Sequence, residues 1–128
     1  MEAVMYLDTH VAVWLYAREL ERFQKSALQR IEEESLYISP AVLLELQFLK
    51  EIKRINTDPM LIFQTLEKTI GLKLCNLEFS KIVTGALSQS WTRDPFDRLI
   101  VAHASIQNAP LLTKDQTIRR HYPLACWK

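Results

Sequence analysis

The sequence predicts an α/β fold, with a central parallel sheet of about four to five short strands and helices on both faces. Three observations predict it. Short, nearly continuous apolar runs alternate with stretches of helical spacing. Helix starts recur as a serine or aspartate followed by proline, at Ser39-Pro40, Asp58-Pro59 and Asp94-Pro95. Two glycines in 128 residues leave too few turn residues for a glycine-punctuated all-β fold, and no Gly-rich phosphate loop.

Taken in order, Ala3 to Leu7 is an apolar run stopped by Asp8, the pattern of a buried strand. Thr9 to Arg18 carries Val11, Trp14 and Leu15 at helical spacing. Leu20, Phe23, Ala27, Leu28 and Ile31 give a second helical stripe, closed by Glu32-Glu33-Glu34. Leu36 to Ile38 is the second strand. Ser39 caps a helix running from Ala41 to about Arg54, because its hydroxyl accepts from a free N–H while Pro40 has none to lose. Asp58-Pro59 starts the next helix and Gly71 suits its end. Leu72 to Leu77 reads as a third strand, and Ser80 as the cap of a helix through Ile82, Val83, Ala86 and Leu87. The helix from Asp94-Pro95 reaches Gln107. Pro110 to Thr113 is a fourth strand, Asp115 to Arg120 a short helical turn, and Leu124 to Trp127 a last strand.

A chain of this length suits one compact domain, expected to span residues 1–128. The net charge of +1 gives no global reason to expect nucleic acid, although Trp91 to Lys128 holds six Lys/Arg against three Asp. Cys75 and Cys126 lie in apolar stretches without C-x-x-C spacing and read as buried thiols of a reducing cytoplasm, with a disulfide between them left open. The start M-E-A-V-M-Y-L-D lacks a basic region and has too short an apolar run for export. No segment approaches the roughly 20 apolar residues that span a bilayer.

Function is carried by acids in unusual places. In parallel α/β sheets ligands gather beyond the carboxyl ends of the strands, where strand order reverses. Asp8 and Asp115 each follow a strand, and either could simply cap the next helix. Asp97 lies in the first turn of its helix, where an acid complements the helix dipole, yet Ile100 and Val101 place it at the rim of a buried stripe. Glu45 has Ala41, Val42, Phe48 and Leu49 as helix neighbours, so its carboxylate must be paired with an arginine, protonated or bound to a cation. Three or four carboxylates gathered at one strand edge would repel unless a divalent cation held them, and oxygen-only ligands select Mg²⁺ or Mn²⁺. Phosphoryl-aspartate enzymes fit poorly: His10 stands where a haloacid-dehalogenase-like phosphatase needs a second aspartate. The third strand, L-K-L-C-N-L, lacks a receiver-type acceptor.

The stretches Y-L-D-T-H-V-A-V-W-L, S-P-A-V-L-L-E-L, R-D-P-F-D-R-L-I-V-A-H-A and P-L-L-T-K-D-Q-T-I resemble, in order and spacing, the PIN-domain family. The nearest likeness is to the VapC-type toxins of toxin–antitoxin systems. The resemblance runs over essentially the whole chain. It implies a PIN-like fold and metal-dependent ribonuclease activity, with Asp8, Glu45, Asp97 and Asp115 as both catalytic acids and ligands of Mg²⁺ or Mn²⁺. It also implies an RNA substrate, a cognate antitoxin protein, a homodimer and a cytoplasmic location. Val101 departs from the small residue usual after the isoleucine, and Asp94 with Arg98 belongs to a D-P-F-D-R variant. Thr9 and Thr113 are candidate supports of the ligands. Arg93, Arg98, Lys114, Arg119 and Arg120 are candidate phosphate contacts, although each could be plain surface charge. His10 and His103 are open between site and structure. Trp14 is assigned to the core, and Trp91 to core, interface or base stacking. The alternatives are an RNA-processing nuclease without an antitoxin and a non-catalytic binding module.

Overall fold

The computed structural model describes residues 3–128, so Met1 and Glu2, within the expected 1–128 domain and the export reading, lie outside it. The chain runs β1 (Val4–Leu7), α1 (Thr9–Tyr16), a 3-10 turn (Leu20–Arg22), α2 (Lys25–Glu33), β2 (Ser35–Ile38), α3 (Pro40–Glu51) and α4 (Pro59–Ile70). It continues with β3 (Lys73–Leu74), α5 (Phe79–Leu87), α6 (Pro95–Ile106), β4 (Leu111–Leu112), α7 (Gln116–His121) and β5 (Ala125–Cys126). The five strands form one parallel sheet in the order β3-β2-β1-β4-β5, as the apolar runs predict. β1 is central, and Met5, Tyr6 and Leu7 are buried because both faces of the strand are covered. The chain steps outward from β1 to β3, then returns past β1 to β4. The strand order therefore reverses between β1 and β4. Helices flank the sheet, with α1 and α3 packed on α4, α5 on α6, and α3 also in contact with α6.

Proline-marked helix starts hold in detail. Ser39 Oγ accepts from the Ala41 N–H at 3.1 Å, and Asp58 Oδ1 from the Met60 N–H at 3.1 Å. Gly71 ends α4 in the left-handed region at φ 69°, where a side chain would be strained.

Several expected boundaries shift. The stripe from Leu20 to Ile31 is broken into the 3-10 turn and α2 by Phe23, whose extended backbone ends the turn. The third strand is only Lys73–Leu74 rather than residues 72–77, an exposed edge strand with a single neighbour. α5 starts at Phe79 with Glu78 as its N-cap. Ser80 is not the cap; its hydroxyl donates to the Glu78 carboxylate at 2.8 Å. α1 stops at Tyr16 and α3 at Glu51, short of Arg18 and Arg54, because Arg18 (φ 57°) and Lys53 (φ 62°) take the left-handed turn usually given to glycine. Both cysteines are free: Cys75 is buried with its thiol 2.9 Å from the Tyr6 hydroxyl, whereas Cys126 is only half-buried, beside the Arg30 guanidinium. Among the described residues no helix is long and apolar enough to cross a membrane.

Candidate active site

At the reversal between β1 and β4, the chain leaves each strand through an acid. Asp8 follows β1, whose register is fixed where the Asp8 N–H donates to the Leu112 carbonyl at 3.1 Å. Asp8 is 7% exposed, and both carboxylate oxygens are held: Oδ1 accepts from the Thr9 N–H at 2.8 Å and Oδ2 from the Thr113 hydroxyl at 2.6 Å. Thr113 in turn accepts from the Asp115 N–H at 3.1 Å, so one buried hydroxyl ties the two strand-end acids together. Asp115 caps α7, with Oδ1 accepting from the Ile118 N–H at 2.9 Å.

Two helices bring the other acids. Glu45, on α3, receives a short hydrogen bond from the hydroxyl of the fully buried Thr9. Its apolar helix neighbours split: Ala41 and Val42 are buried, Phe48 is exposed, and Glu45 itself is half-buried at the border. On α6, Asp94 Oδ1 accepts from the N–H of Phe96 at 2.8 Å and of Asp97 at 3.3 Å, and this cap fixes where Asp97 starts. Asp8, Glu45, Asp97 and Asp115 all line one cavity of about 330 Å³, together with Asp94.

The cavity is electrostatically unfinished. Burial, with the charges of Asp8 and Asp94, pushes Glu45 up to about 7 despite the hydrogen bond from Thr9. Burial and the charges of Asp94, Asp8, Glu45 and Asp115 push Asp97 up to about 8. Asp8 is also raised by burial, against the hydrogen bonds from Thr113 and Thr9. The ion pairs among the described residues, Arg22 with Glu19 and Arg30 with Glu34, do not reach these acids. The arginine partner considered for Glu45 is therefore not there. Asp8, Asp94 and Asp115 are N-caps, but a helix dipole contributes only about 0.3–1 kcal/mol each. Of the three caps only Asp8 is buried, and withdrawing its charge, or those of half-buried Glu45 and Asp97, from water costs several kcal/mol that the dipoles do not balance.

The donor set suits a hard divalent cation: carboxylate oxygens, no thiolate, and oriented hydroxyls behind two of the acids. No three His, Cys, Asp or Glu side chains among the described residues are already closed around one point as a ready-made cage. Mg²⁺ keeps several waters and takes one or two carboxylates directly, so an open ring of acids fits it.

Other sequence candidates separate clearly. Of the five proposed phosphate-binding cations, Lys114 alone lines the cavity. Arg93, Arg98 and Arg119 donate to the carbonyls of Ser90, Thr92 and Lys114, bracing the loops, and Arg120 lies exposed on α7. His103 is buried, bonded to the Leu99 carbonyl and lowered by burial, so it belongs to the core. Trp91 stacks on His121 at 5.0 Å, away from the cavity lining. His10 and Trp14 do line it, so Trp14 is not purely core. Their spacing of four residues on a helix that begins at Asp8 is the signal that places both beside that aspartate.

A model of the PIN domain matches residues 5–122 of the chain. The chain is 32% identical over 126 residues to Ribonuclease VapC22 of Mycobacterium tuberculosis, covering 94% of this chain and 96% of that protein. Among solved structures it is similar to VapBC2 from Rickettsia felis bound to a DNA fragment from their promoter, with TM-score 0.66 and 18% identity over 98% of this chain and 97% of that one. A toxin–antitoxin complex from Klebsiella pneumoniae is similar at TM-score 0.63 and 16% identity, over 95% of each chain. At such identities these two likenesses establish the shared fold.

Proposed function

The chain belongs to the PIN-domain family, and on that premise we propose that it is a divalent-metal-dependent endoribonuclease, the toxin of a toxin–antitoxin pair. The observation that carries this reading is the cavity of five carboxylates, none of them in an ion pair among the described residues, placed where the strand order reverses. The relative at 32% identity is a ribonuclease by name, and of the two similar solved structures named above one is a toxin–antitoxin complex and the other VapBC2 on promoter DNA. These support the activity and the antitoxin partner.

In this reading Asp8, Glu45, Asp97 and Asp115 hold Mg²⁺ or Mn²⁺, directly or through water. A bound divalent ion supplies Lewis acidity toward the phosphodiester and a more acidic water for the attack. Thr9 and Thr113 hold the Glu45 and Asp8 carboxylates in fixed orientation through their hydroxyls. Asp94 sets the helix that carries Asp97 and adds negative charge. In this reading no protein nucleophile is required. We place the protein in the cytoplasm, where its RNA substrate is, and read the chain as a single PIN domain. Exposed Leu44 and Phe48 of α3, Ile52 just after it, and Met60 and Leu61 of α4 are the apolar surface we assign to the homodimer.

The test is cleavage of total cellular RNA with Mn²⁺ in the presence and absence of chelator. Cleavage should stop with chelator, and Asp8→Asn or Asp97→Asn should abolish it while circular dichroism stays unchanged. Full cleavage by both variants would sink the carboxylate assignment.

A further inference from the structure

We propose that Trp14 and Lys114 in the wall of the acid cavity, with Arg22 beside that wall, seat the RNA strand, the indole stacking an unpaired base and the two cations gripping phosphates next to it. The proposal rests on the ribonuclease reading and adds residues to it that the metal site does not require.

Trp14 stands on α1 less than two turns after Asp8 and lines the same cavity. Its plane is fixed from behind by edge contacts to Trp127 at 5.7 Å and to Phe23 at 6.4 Å. Two cations lie over this one ring, the Arg22 guanidinium carbon 4.9 Å from its centroid, its Nε also paired with Glu19 at 3.0 Å, and the Lys114 Nζ 6.0 Å away. The His10 ring is 6.0 Å from it. Lys114 is held by the turn between Thr113 and Asp115, and its carbonyl is braced by Arg119.

The arrangement is notable for what Lys114 does not do. It lines a cavity with five carboxylates, yet it enters none of the ion pairs among the described residues and lies by an indole instead. An ammonium placed there remains available to an incoming anion. A polyanion must approach a cavity whose own side chains repel it, so cations at the rim are needed for entry. A fixed aromatic plane beside cations is how single strands are held without base pairing, since every base has a π-face. Stacked duplex bases cannot use it, which commits the occupant to single-stranded RNA.

The test is fluorescence anisotropy of a labelled single-stranded RNA of mixed sequence, in Ca²⁺, with RNA integrity checked on a gel. An abasic ribose-phosphate oligomer of equal length is the comparison. Trp14→Leu, which keeps apolar bulk against Phe23 and Trp127, should weaken RNA binding at least about fivefold, the low end for one stacked base, and leave the abasic oligomer unaffected. Arg22→Gln and Lys114→Gln, both at exposed side chains, should each weaken binding to both oligomers. Each should also flatten the dependence of log affinity on log salt by about 0.7, the loss of one phosphate contact. Equal loss on both oligomers for Trp14→Leu, or unchanged salt slopes for the glutamine variants, would overturn the wall while leaving the nuclease intact. If the wild-type protein neither binds nor cuts RNA with any divalent ion, the ribonuclease reading itself fails, and the wall with it.

Discussion

Thr113 shows how much of the site rests on single hydroxyls. It donates to Asp8 and accepts from the Asp115 backbone, and it is fully buried. Replacing it with valine keeps the shape and removes both bonds. Thr113→Val should lower Mn²⁺ affinity and RNA cleavage by about 10–100-fold, the usual loss when a ligand's support is removed. Calorimetric Mn²⁺ titration beside a cleavage assay checks it. Most of these residues were legible in the sequence, because an acid that ends an apolar strand or interrupts an apolar helix face is out of place there. Glu45 stood out for that reason, although the exposure of Phe48 shows its helix face to be less buried than its composition suggests. Asp94 was legible only as a cap. Its second contribution, charge toward Glu45 and Asp97, depends on distances that no spacing rule supplies.

Helix α6 separates those two contributions. Asp94→Asn keeps a good N-cap and removes a negative charge, whereas Asp94→Ala removes both. Urea denaturation of the metal-free protein should find Asp94→Ala less stable by about 1 kcal/mol, and Asp94→Asn near wild type. If both lose the same stability, the cap is not what Asp94 contributes to α6. Elements with chemical punctuation were predicted closely: Ser39-Pro40, Asp58-Pro59 and Asp94-Pro95 start helices, and Gly71 ends one. Those ended by other means were not. Arg18 and Lys53 take left-handed φ angles without being glycine, held by the surrounding backbone hydrogen bonds rather than by their own preference. Edge strand β3 shrank for a related reason. Residues 72–77 mix apolar and polar side chains, and only Lys73 and Leu74 pair with β2, while Leu72 and Cys75 bury their side chains on either side.

The whole molecule carries a pH dependence set by the site. Glu45 and Asp97 have pKa values raised from their ordinary 4.5 and 3.8 to about 7 and about 8, so the folded chain binds these protons more tightly than the unfolded chain. Their contribution to stability is present in full below the ordinary values and is lost as pH rises through about 7 and 8. The melting temperature of the chelator-treated protein should therefore fall between about pH 5 and about pH 8.5, and Mn²⁺ should restore more of it at the higher pH. Equal melting temperatures across that range would contradict the burial of these carboxylates. The α/β architecture, the parallel sheet and the gathering of the acids at one cavity were readable from alternation and strand-end acids. The closure of α1, α3 and α6 around one cavity was not, since it depends on packing between distant segments. The most direct measurement is Mn²⁺ binding followed by electron paramagnetic resonance at about pH 8 and about pH 5.5, for wild type and Asp97→Asn. Saturable binding at the higher pH, weaker at the lower and lost in the variant, is the predicted result. No binding at the higher pH, or equal binding by the variant, would contradict the carboxylate metal site.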